Sequence, residues 1–431
     1  MPEQLLQLDH IPLLEKLVAK ANSDTIQHRA RILLLYNEGK DTREISKTVG
    51  LSPRTVRHWR REFLEHGMDI FPPSTEFKGS EKQSDKPARK KPVPNQPTPK
   101  PEETEPTRIP LPRVRKNPGL KAGDPMAEAG RKILRFHFAH MLSHENGTRL
   151  GEDIEELHDM RVATRRMRAA FEVFRPFLRR KAIKKHLKGL RATGRALGRV
   201  RDLDVFMEKA EHYLETLPEG KRAGLQPLLD VWQQERDSAR DKMLVHLDSE
   251  SYQQFKQDFN EFVSTPGAGA RQLSGNNPEP DLVRYVAPIL VYTNLAAVRA
   301  YDKIVPNAAI EQLHALRIAF KKLRYTVEFF REVLGPQSRQ VIDDLKNLQD
   351  HLGDLNDANV ACQILREFIE SWEERQMDLP LQERQNPEPV VDYLAAKHAE
   401  RYNLMITFPE AWAHFNRPEF LENVALAISV L

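Results

Sequence analysis

The chain has 431 residues, which is long for a single hydrophobic core and predicts two or three structural units. Its hydrophobic fraction of 40% supports packed domains, and its net charge is only +4. A single cysteine, Cys362, excludes an internal disulfide, and no apolar run approaches the roughly 18 residues that span a bilayer. These features exclude disulfide-stapled and membrane-spanning classes and predict a soluble, cytoplasmic protein.

The first 71 residues predict a small unit of three helices. Helices are expected over residues 24–37 and 42–48, and a third begins at the helix-capping Ser52 with Pro53 in its first position. This pattern resembles a homeodomain-like helix-turn-helix, of the kind found in transposases and small regulators. The resemblance implies a third helix that enters the major groove of DNA, with a protein-interaction role as the alternative. The side chains available for DNA contact are Arg54, Thr55, Arg57, His58 and Arg61.

Residues 72–125 predict a disordered, extended linker. They hold 13 of the chain's 30 prolines, with Lys, Glu, Thr and Ser between them and hardly any large apolar residue. Such a segment buries too little surface to offset the entropy lost on ordering, and its prolines keep it extended. The linker separates the N-terminal unit from a large unit at residues 126–431.

The large unit is predicted to be all-α and internally duplicated. The block LHDMRVATRRMRAAFEVF at 157–174 returns as LHALRIAFKKLRYTVEFF at 313–330, and LGRVRDLDV at 197–205 returns as LGDLNDANV at 352–360. Because the two blocks recur in the same order at nearly the same offset, they predict two pseudo-symmetric helical bundles. Lobe one covers about 126–262 and lobe two about 281–431. Apolar spacings of three and four predict helices over 126–145, 153–175, 180–212, 221–262, 281–302, 308–334, 338–372 and 389–405.

The repeated block gathers basic residues on one side of each helix. Steps of three and four residues place four basic side chains of each copy within a narrow arc. These residues are His158, Arg161, Arg165 and Arg168 in the first copy and His314, Arg317, Lys321 and Arg324 in the second. Between residues 157 and 201 there are 15 Lys or Arg and only two acidic residues. Solvated helix faces normally mix both signs, so this pattern favours a polyanionic partner over an ordinary solvated face.

The two blocks resemble the hallmark of the CHAD domain (conserved histidine α-helical domain) family, over about residues 125–420. The resemblance implies a two-lobed helical fold with a basic central channel that binds inorganic polyphosphate. The binding residues are then the eight hallmark positions, joined by a stripe on the next helix: Lys184, Lys188, Arg191 and Arg195 in lobe one and Lys346 in lobe two. Asp343 and Asp350 of lobe two match Lys188 and Arg195, so lobe one is expected to bind more strongly.

Two kinds of side chain in the hallmark allow more than one role. His158 and His314 are interpreted as hydrogen-bonding phosphate, including as imidazolium, with metal ligation and a structural role as alternatives. Asp202 and Asp357 occupy matching places after the Leu-Gly pair of each copy. They are interpreted as positioning arginines rather than as catalytic groups.

The sequence as a whole predicts a polyphosphate-binding protein with a DNA-binding head, located in the cytoplasm, at polyphosphate granules or at the nucleoid. It is not expected to be an enzyme or to need a cofactor, a metal or a membrane. Two alternatives stay open. In the first, the basic groove binds nucleic acid, although few aromatic residues stand beside its arginines for base stacking. In the second, His158 and Asp159 belong to a metal-dependent phosphohydrolase, against which Ala315 replaces the aspartate in the second copy.

Overall fold

The structure, a computed structural model, describes residues 10–20, 24–51, 56, 59, 60, 63, 67–71, 109–271 and 281–431. The chain divides into two compact units, residues 1–107 and residues 108–431. Throughout the described ranges the regular elements are helices and no β-strand occurs, which confirms the predicted all-α class. No helix within these ranges is both long enough and apolar enough to cross a membrane.

The N-terminal unit begins with α1 (His10–Lys20), which precedes the predicted three-helix pattern, and the first two predicted helices follow as α2 (Asp24–Asn37) and α3 (Thr42–Val49). Gly50 follows α3 with a φ of 73°, a left-handed conformation that favours glycine, so the chain turns where a tight turn is predicted. Beyond the turn, Val56, Trp59 and Phe63 are helical and buried, in the range where the third helix is predicted. The predicted DNA contacts Arg54, Thr55, Arg57, His58 and Arg61 lie outside the described residues.

The C-terminal unit is a succession of helices: α4 (Met126–Ser143), α5 (Glu145–Leu150), α6 (Ile154–Phe174), α7 (Arg180–Thr216), α8 (Glu219–Arg222), α9 (Gln226–Asp248), α10 (Glu250–Ser264), α11 (Val283–Arg299), α12 (Ile310–Phe330), α13 (Ser338–Met377), α14 (Glu388–Phe415) and α15 (Pro418–Ile428). The repeated block forms α6 and α12, which are both 21 residues long. They precede helices of 37 and 40 residues, α7 and α13. This order is what a duplication predicts, and the duplication itself stays a prediction.

Two hydrophobic cores hold the C-terminal unit together. The first takes side chains mainly from α4, α6, α7, α9 and α10, and in it Phe138 and Phe259 meet edge to face at 4.9 Å. The second is built from α11 to α15 around Phe320. Phe330, at the end of α12, packs into the first core, 5.8 Å from the ring of Phe174. Lobe two therefore supplies part of the core of lobe one, and burial of apolar surface joins the lobes.

Residues 109–125 depart from the predicted linker because they pack onto the C-terminal unit. Asn260 Nδ2 donates to the carbonyl of Ile109 at 2.8 Å, and the N–H of Leu120 donates to Glu332 Oε2 at 2.7 Å. Leu120 is itself buried in the first core. The unit therefore begins before the predicted residue 126, and the rest of the predicted linker, residues 72–108, lies outside the described residues. We call residues 109–120 the strap.

The single helix predicted over residues 221–262 is wrong, because two helices, α9 and α10, occupy most of that range. Ser249 separates them with a ψ of 143°, and its side chain accepts a hydrogen bond from the N–H of Tyr252. Serine at this position caps a new helix. The apolar spacing continues through the break, so periodicity alone did not reveal it.

Candidate functional site

The repeated helices α6 and α12 pack against each other. Their apolar sides enter the two cores: Met160 and Met167 of α6 are fully buried, as are Leu316 and Phe320 of α12. Because hydrophobic burial fixes the rotation of each helix, the opposite sides of both helices, which carry the basic residues, are held in defined directions.

Four cations, two from each lobe, meet where these basic sides face one another: Arg161, Arg165, Arg317 and Lys321. The pKa of Lys321 is lowered to about 8, first by burial and then by the charges of Arg317 and Arg165. Burial also lowers the pKa of Arg317, and Arg165 of the other lobe acts in the same direction. Like charges from both lobes are therefore close enough to repel one another. We call these four residues the groove cluster.

Carboxylates hold the groove cluster and link the two lobes beside it. Arg161 Nη2 donates to Asp202 Oδ1 at 2.9 Å, and burial raises the pKa of Asp202 despite that arginine. Lys209 of α7 lies 3.3 Å from Asp357 Oδ2 of α13, which makes an ion pair between the lobes. A carboxylate bound to one edge of a guanidinium fixes its orientation and leaves its other donors available.

The groove cluster has hydrogen-bond donors that no described residue satisfies. The Nε atoms of Arg165 and Arg317 are buried, and neither has a hydrogen-bond partner among the described residues. A buried donor without a partner typically costs about 1–3 kcal/mol, and more when it is charged. An anion entering the groove would reduce the repulsion between the cations.

The two hallmark histidines differ in their surroundings. Burial lowers the pKa of His158, and the charges of Arg201 and Arg165 lower it further. This direction favours the neutral imidazole over the imidazolium, and a neutral ring still offers one N–H to a phosphate oxygen. His314 is exposed, and its Nδ1 lies within hydrogen-bond distance, 2.9 Å, of Asn356 Oδ1.

The predicted basic stripe of α7 is exposed to solvent. Its members, which have no carboxylate partner within the described ranges, are Lys184, Lys188, Arg191 and Arg195. Further along the same helix, Arg199 does pair with Glu235, at 2.5 Å.

Two glycines of α7 lie beneath the hallmark arginines of α6. A Cβ added at Gly194 would lie 3.8 Å from Arg168 Nη1, and one added at Gly198 would lie 3.8 Å from Arg161 Nε. The guanidinium groups of α6 therefore extend across α7. This crossing makes the hallmark arginines neighbours of the α7 stripe.

Arg324 and Lys346 are among the predicted binding residues that do not join the groove cluster. Arg324 is only 9% exposed, and its Nε lies 3.5 Å from Glu328. Glu328 also pairs with Arg166 of lobe one at 3.3 Å, so this arginine contributes to the contact between the lobes. The sequence contained the signal, since Glu328 follows Arg324 at a helical i,i+4 spacing. Lys346 is exposed on α13, without an ion-pair partner in the described part of the chain.

Two cations beside the groove, Arg201 and Lys209, are not among the predicted binding residues. Arg201 acts electrostatically on both His158 and Arg161, and Lys209 pairs with Asp357. Arg201 lies within the repeated LGRVRDLDV block, which was the available signal. In the described part of the chain, no three His, Cys, Asp or Glu side chains gather closely enough to hold a metal ion.

Comparisons with known proteins identify two regions of the chain. The family model described as CHAD domain matches residues 132–366, just over half of the chain, and a homeodomain-like domain model matches residues 23–70. The crystal structure of the CHAD domain from the plant Ricinus communis is 22% identical, covers 74% of this chain and 96% of its own, and has a TM-score of 0.49. PptA from Streptomyces chartreusis is 18% identical, covers 67% of this chain and 100% of its own, and has a TM-score of 0.48.

No curated protein matches the chain. The CHAD model nevertheless spans both copies of the hallmark and all four residues of the groove cluster. The chain belongs to the CHAD domain family and carries a homeodomain-like domain near its N-terminus.

Proposed function

We propose that the CHAD domain of this protein binds inorganic polyphosphate, along the groove cluster and the α7 stripe, and that the homeodomain-like domain binds DNA. The observation that carries the first part is the convergence of four cations from two lobes, two of whose buried guanidinium donors have no hydrogen-bond partner among the described residues. Clustered cations of this kind are stabilised by an external anion. The proposal includes no catalytic step.

The distribution of charge favours a linear anion over a single phosphate. From Lys184 to Arg195 the α7 stripe extends over 11 residue steps, or about 16 Å of helix at 1.5 Å per residue. The hallmark arginines that cross α7 join this stripe to the groove cluster. A chain of phosphates supplies negative charge at regular intervals along such a path, and planar guanidinium groups bind phosphate oxygens in a bidentate manner.

Salt dependence of polyphosphate binding tests the proposed function. Neutralising a flexible polyanion releases its counterions, with a slope of about −0.7 per cation engaged for single strands. If only the four groove cations engage, affinity should fall about fiftyfold between about 50 and 200 mM salt. The full chain is titrated with long-chain polyphosphate at several salt concentrations. An affinity that is insensitive to salt contradicts electrostatic capture in the groove.

Affinity for polyphosphate should also depend on pH through Lys321. Its pKa is lowered to about 8 in the empty groove, and a bound polyanion favours the protonated form. Binding therefore takes up a proton above pH 8, and affinity should fall about tenfold between pH 7 and pH 9.

The matched control for this pH effect is Lys321→Arg, because arginine keeps its charge throughout this range. The polyphosphate affinity of this variant should then be nearly the same at pH 7 and pH 9. Equal pH dependence in the wild-type chain and the arginine variant would show that another group titrates.

The DNA-binding part of the proposal is supported by the family match at residues 23–70. Two variants test it, each expected to lose one binding activity and keep the other. Gel shifts of the full chain with duplex DNA should be lost in Arg54→Ala plus Arg57→Ala, which should still bind polyphosphate. Arg161→Glu plus Arg165→Glu should show the reverse pattern. If Arg161→Glu plus Arg165→Glu abolishes DNA binding and Arg54→Ala plus Arg57→Ala does not, the groove is the nucleic-acid site.

A further inference from the structure

The strap is fixed at both ends where it crosses α4. At one end Asn260 of α10 binds the carbonyl of Ile109, and at the other the N–H of Leu120 binds Glu332 of lobe two. Near the second end, Lys132 Nζ of α4 donates to the carbonyl of Gly119 at 3.0 Å. The strap is therefore one wall of a fixed structure, although its composition is that of a linker.

A cavity of about 600 Å³ lies between the strap and α4. Among the described residues, five cationic side chains and no carboxylate line it: Arg113 and Arg115 of the strap and Arg131, Lys132 and Arg135 of α4. The remaining wall is largely apolar and includes Pro112 and Phe136. No residue of the groove cluster or of the α7 stripe lines this cavity, so it is separate from the proposed polyphosphate groove.

Two of these five cations already have carboxylate partners. Arg131 pairs with Glu128 at 2.5 Å, and Lys132 pairs with Asp124 at 2.7 Å. Both carboxylates lie outside the lining of the cavity. The paired side chains therefore have internal partners that hold them in place beside it.

The other three cations have no such partner. Arg113, Arg115 and Arg135 make no ion pair or side-chain hydrogen bond within the described ranges. Burial lowers the pKa of Arg135, and the charges of Arg115 and Arg131 lower it further, which places strap and helix cations close together. Holding like charges around one cavity costs free energy that an anion would recover.

We propose that this strap cavity binds a compact anion of two or three linked phosphate groups. Three guanidinium groups without ion-pair partners in the described ranges, around one open cavity, match the charge and the oxygen-rich surface of such an anion. Either an inorganic triphosphate or a nucleoside triphosphate supplies this chemistry, and Phe136 with Pro112 offers an apolar wall to the base of the latter.

The test uses the full chain with Arg161→Glu plus Arg165→Glu, so that anion binding in the groove is weakened. Calorimetric titration with tripolyphosphate and, separately, with ATP should reveal one site per chain. Adding Arg115→Ala plus Arg135→Ala should weaken that site about a hundredfold, or about tenfold per guanidinium lost. Adding Lys242→Ala plus Arg375→Ala, both exposed and outside the cavity, should leave it unchanged.

Tighter binding of ATP than of tripolyphosphate would identify a nucleotide as the natural ligand. Equal affinity for the two would identify the phosphate chain as the group recognised. Either result supports the site. Should the Arg135 substitution unfold the chain, Arg113→Ala plus Arg115→Ala repeats the test at exposed positions. Absence of binding by either anion, or equal affinity in the strap and control variants, overturns the proposal. Because only the strap variants change the lining of the cavity, a loss of affinity confined to them is distinguishable from a change in polyphosphate binding at the groove.

Discussion

Arg161→Glu plus Arg165→Glu is expected to weaken binding of long-chain polyphosphate by at least about a hundredfold. Each lost hydrogen bond to a charged partner contributes about 1.5–3 kcal/mol, so two losses amount to about 3–6 kcal/mol. The new carboxylates also repel the phosphate chain and stand close to Asp202 and Asp357. The slope of affinity against salt should decrease as well, because fewer counterions are released.

The matched control is Lys242→Glu plus Arg375→Glu, which changes the net charge by the same amount at exposed positions outside the groove. Titration of both variants and the wild-type chain under identical salt conditions separates a local site from general charge attraction. Circular dichroism checks that Asp202, left without its arginine partner, has not destabilised the fold. Equal loss of affinity in the two variants would mean that no defined groove exists.

The sequence predicted most of the groove because helical spacing determines which side chains share a face. Arg161 and Arg165 recur as Arg317 and Lys321 at the same steps along their helices, and the structure brings all four together. Spacing does not reveal what lies opposite a face. Burial and the nearby Arg317 lower the pKa of Lys321 most, and Arg165 and Arg161, more than 150 residues away in sequence, lower it further only because the lobes pack together.

Arg324 shows where helical spacing predicts the wrong environment for a side chain. It shares the hallmark spacing, yet it is buried and pairs with Glu328, because that carboxylate and Arg166 meet at the contact between the lobes. The strap has a similar explanation. Its prolines predict an extended chain, but hydrogen bonds from Asn260 and to Glu332 fix it on the C-terminal unit, and both partners are distant in sequence. Local composition predicts conformation better than it predicts docking.

The asymmetry between the lobes follows from the helices after each hallmark. The α7 stripe of lobe one is exposed and lacks carboxylate partners, whereas α13 has Asp343 and Asp350 at two of the matching places, both exposed. A phosphate chain leaving the groove cluster would therefore follow α7, where the positive potential continues. The prediction that lobe one binds more strongly is tested by comparing the polyphosphate affinities of Lys188→Glu and Lys346→Glu. The Lys188 substitution should reduce affinity more.

Phe330→Ala is expected to lower the free energy of unfolding of the CHAD domain by about 3–5 kcal/mol, the usual range for a buried phenylalanine. The ring is fully buried and lies edge to face with Phe174 at 5.8 Å. Since Phe330 ends a helix of lobe two but packs into the core of lobe one, the cavity should weaken the contact between the lobes as well as the core. Groove residues from opposite lobes would then no longer be held together, so polyphosphate affinity should fall without any change of charge.

Ile318→Ala is the control, because Ile318 lies on the same helix but is 56% exposed, and its loss should cost less than about 0.5 kcal/mol. Denaturant unfolding followed by circular dichroism measures both variants, with polyphosphate titration on the folded proteins. A Phe330→Ala variant that keeps its stability would show that the lobes do not share a core. One that loses stability yet keeps full affinity would show that the groove does not depend on their packing, because the two lobes would then bind the polymer as separate cationic surfaces.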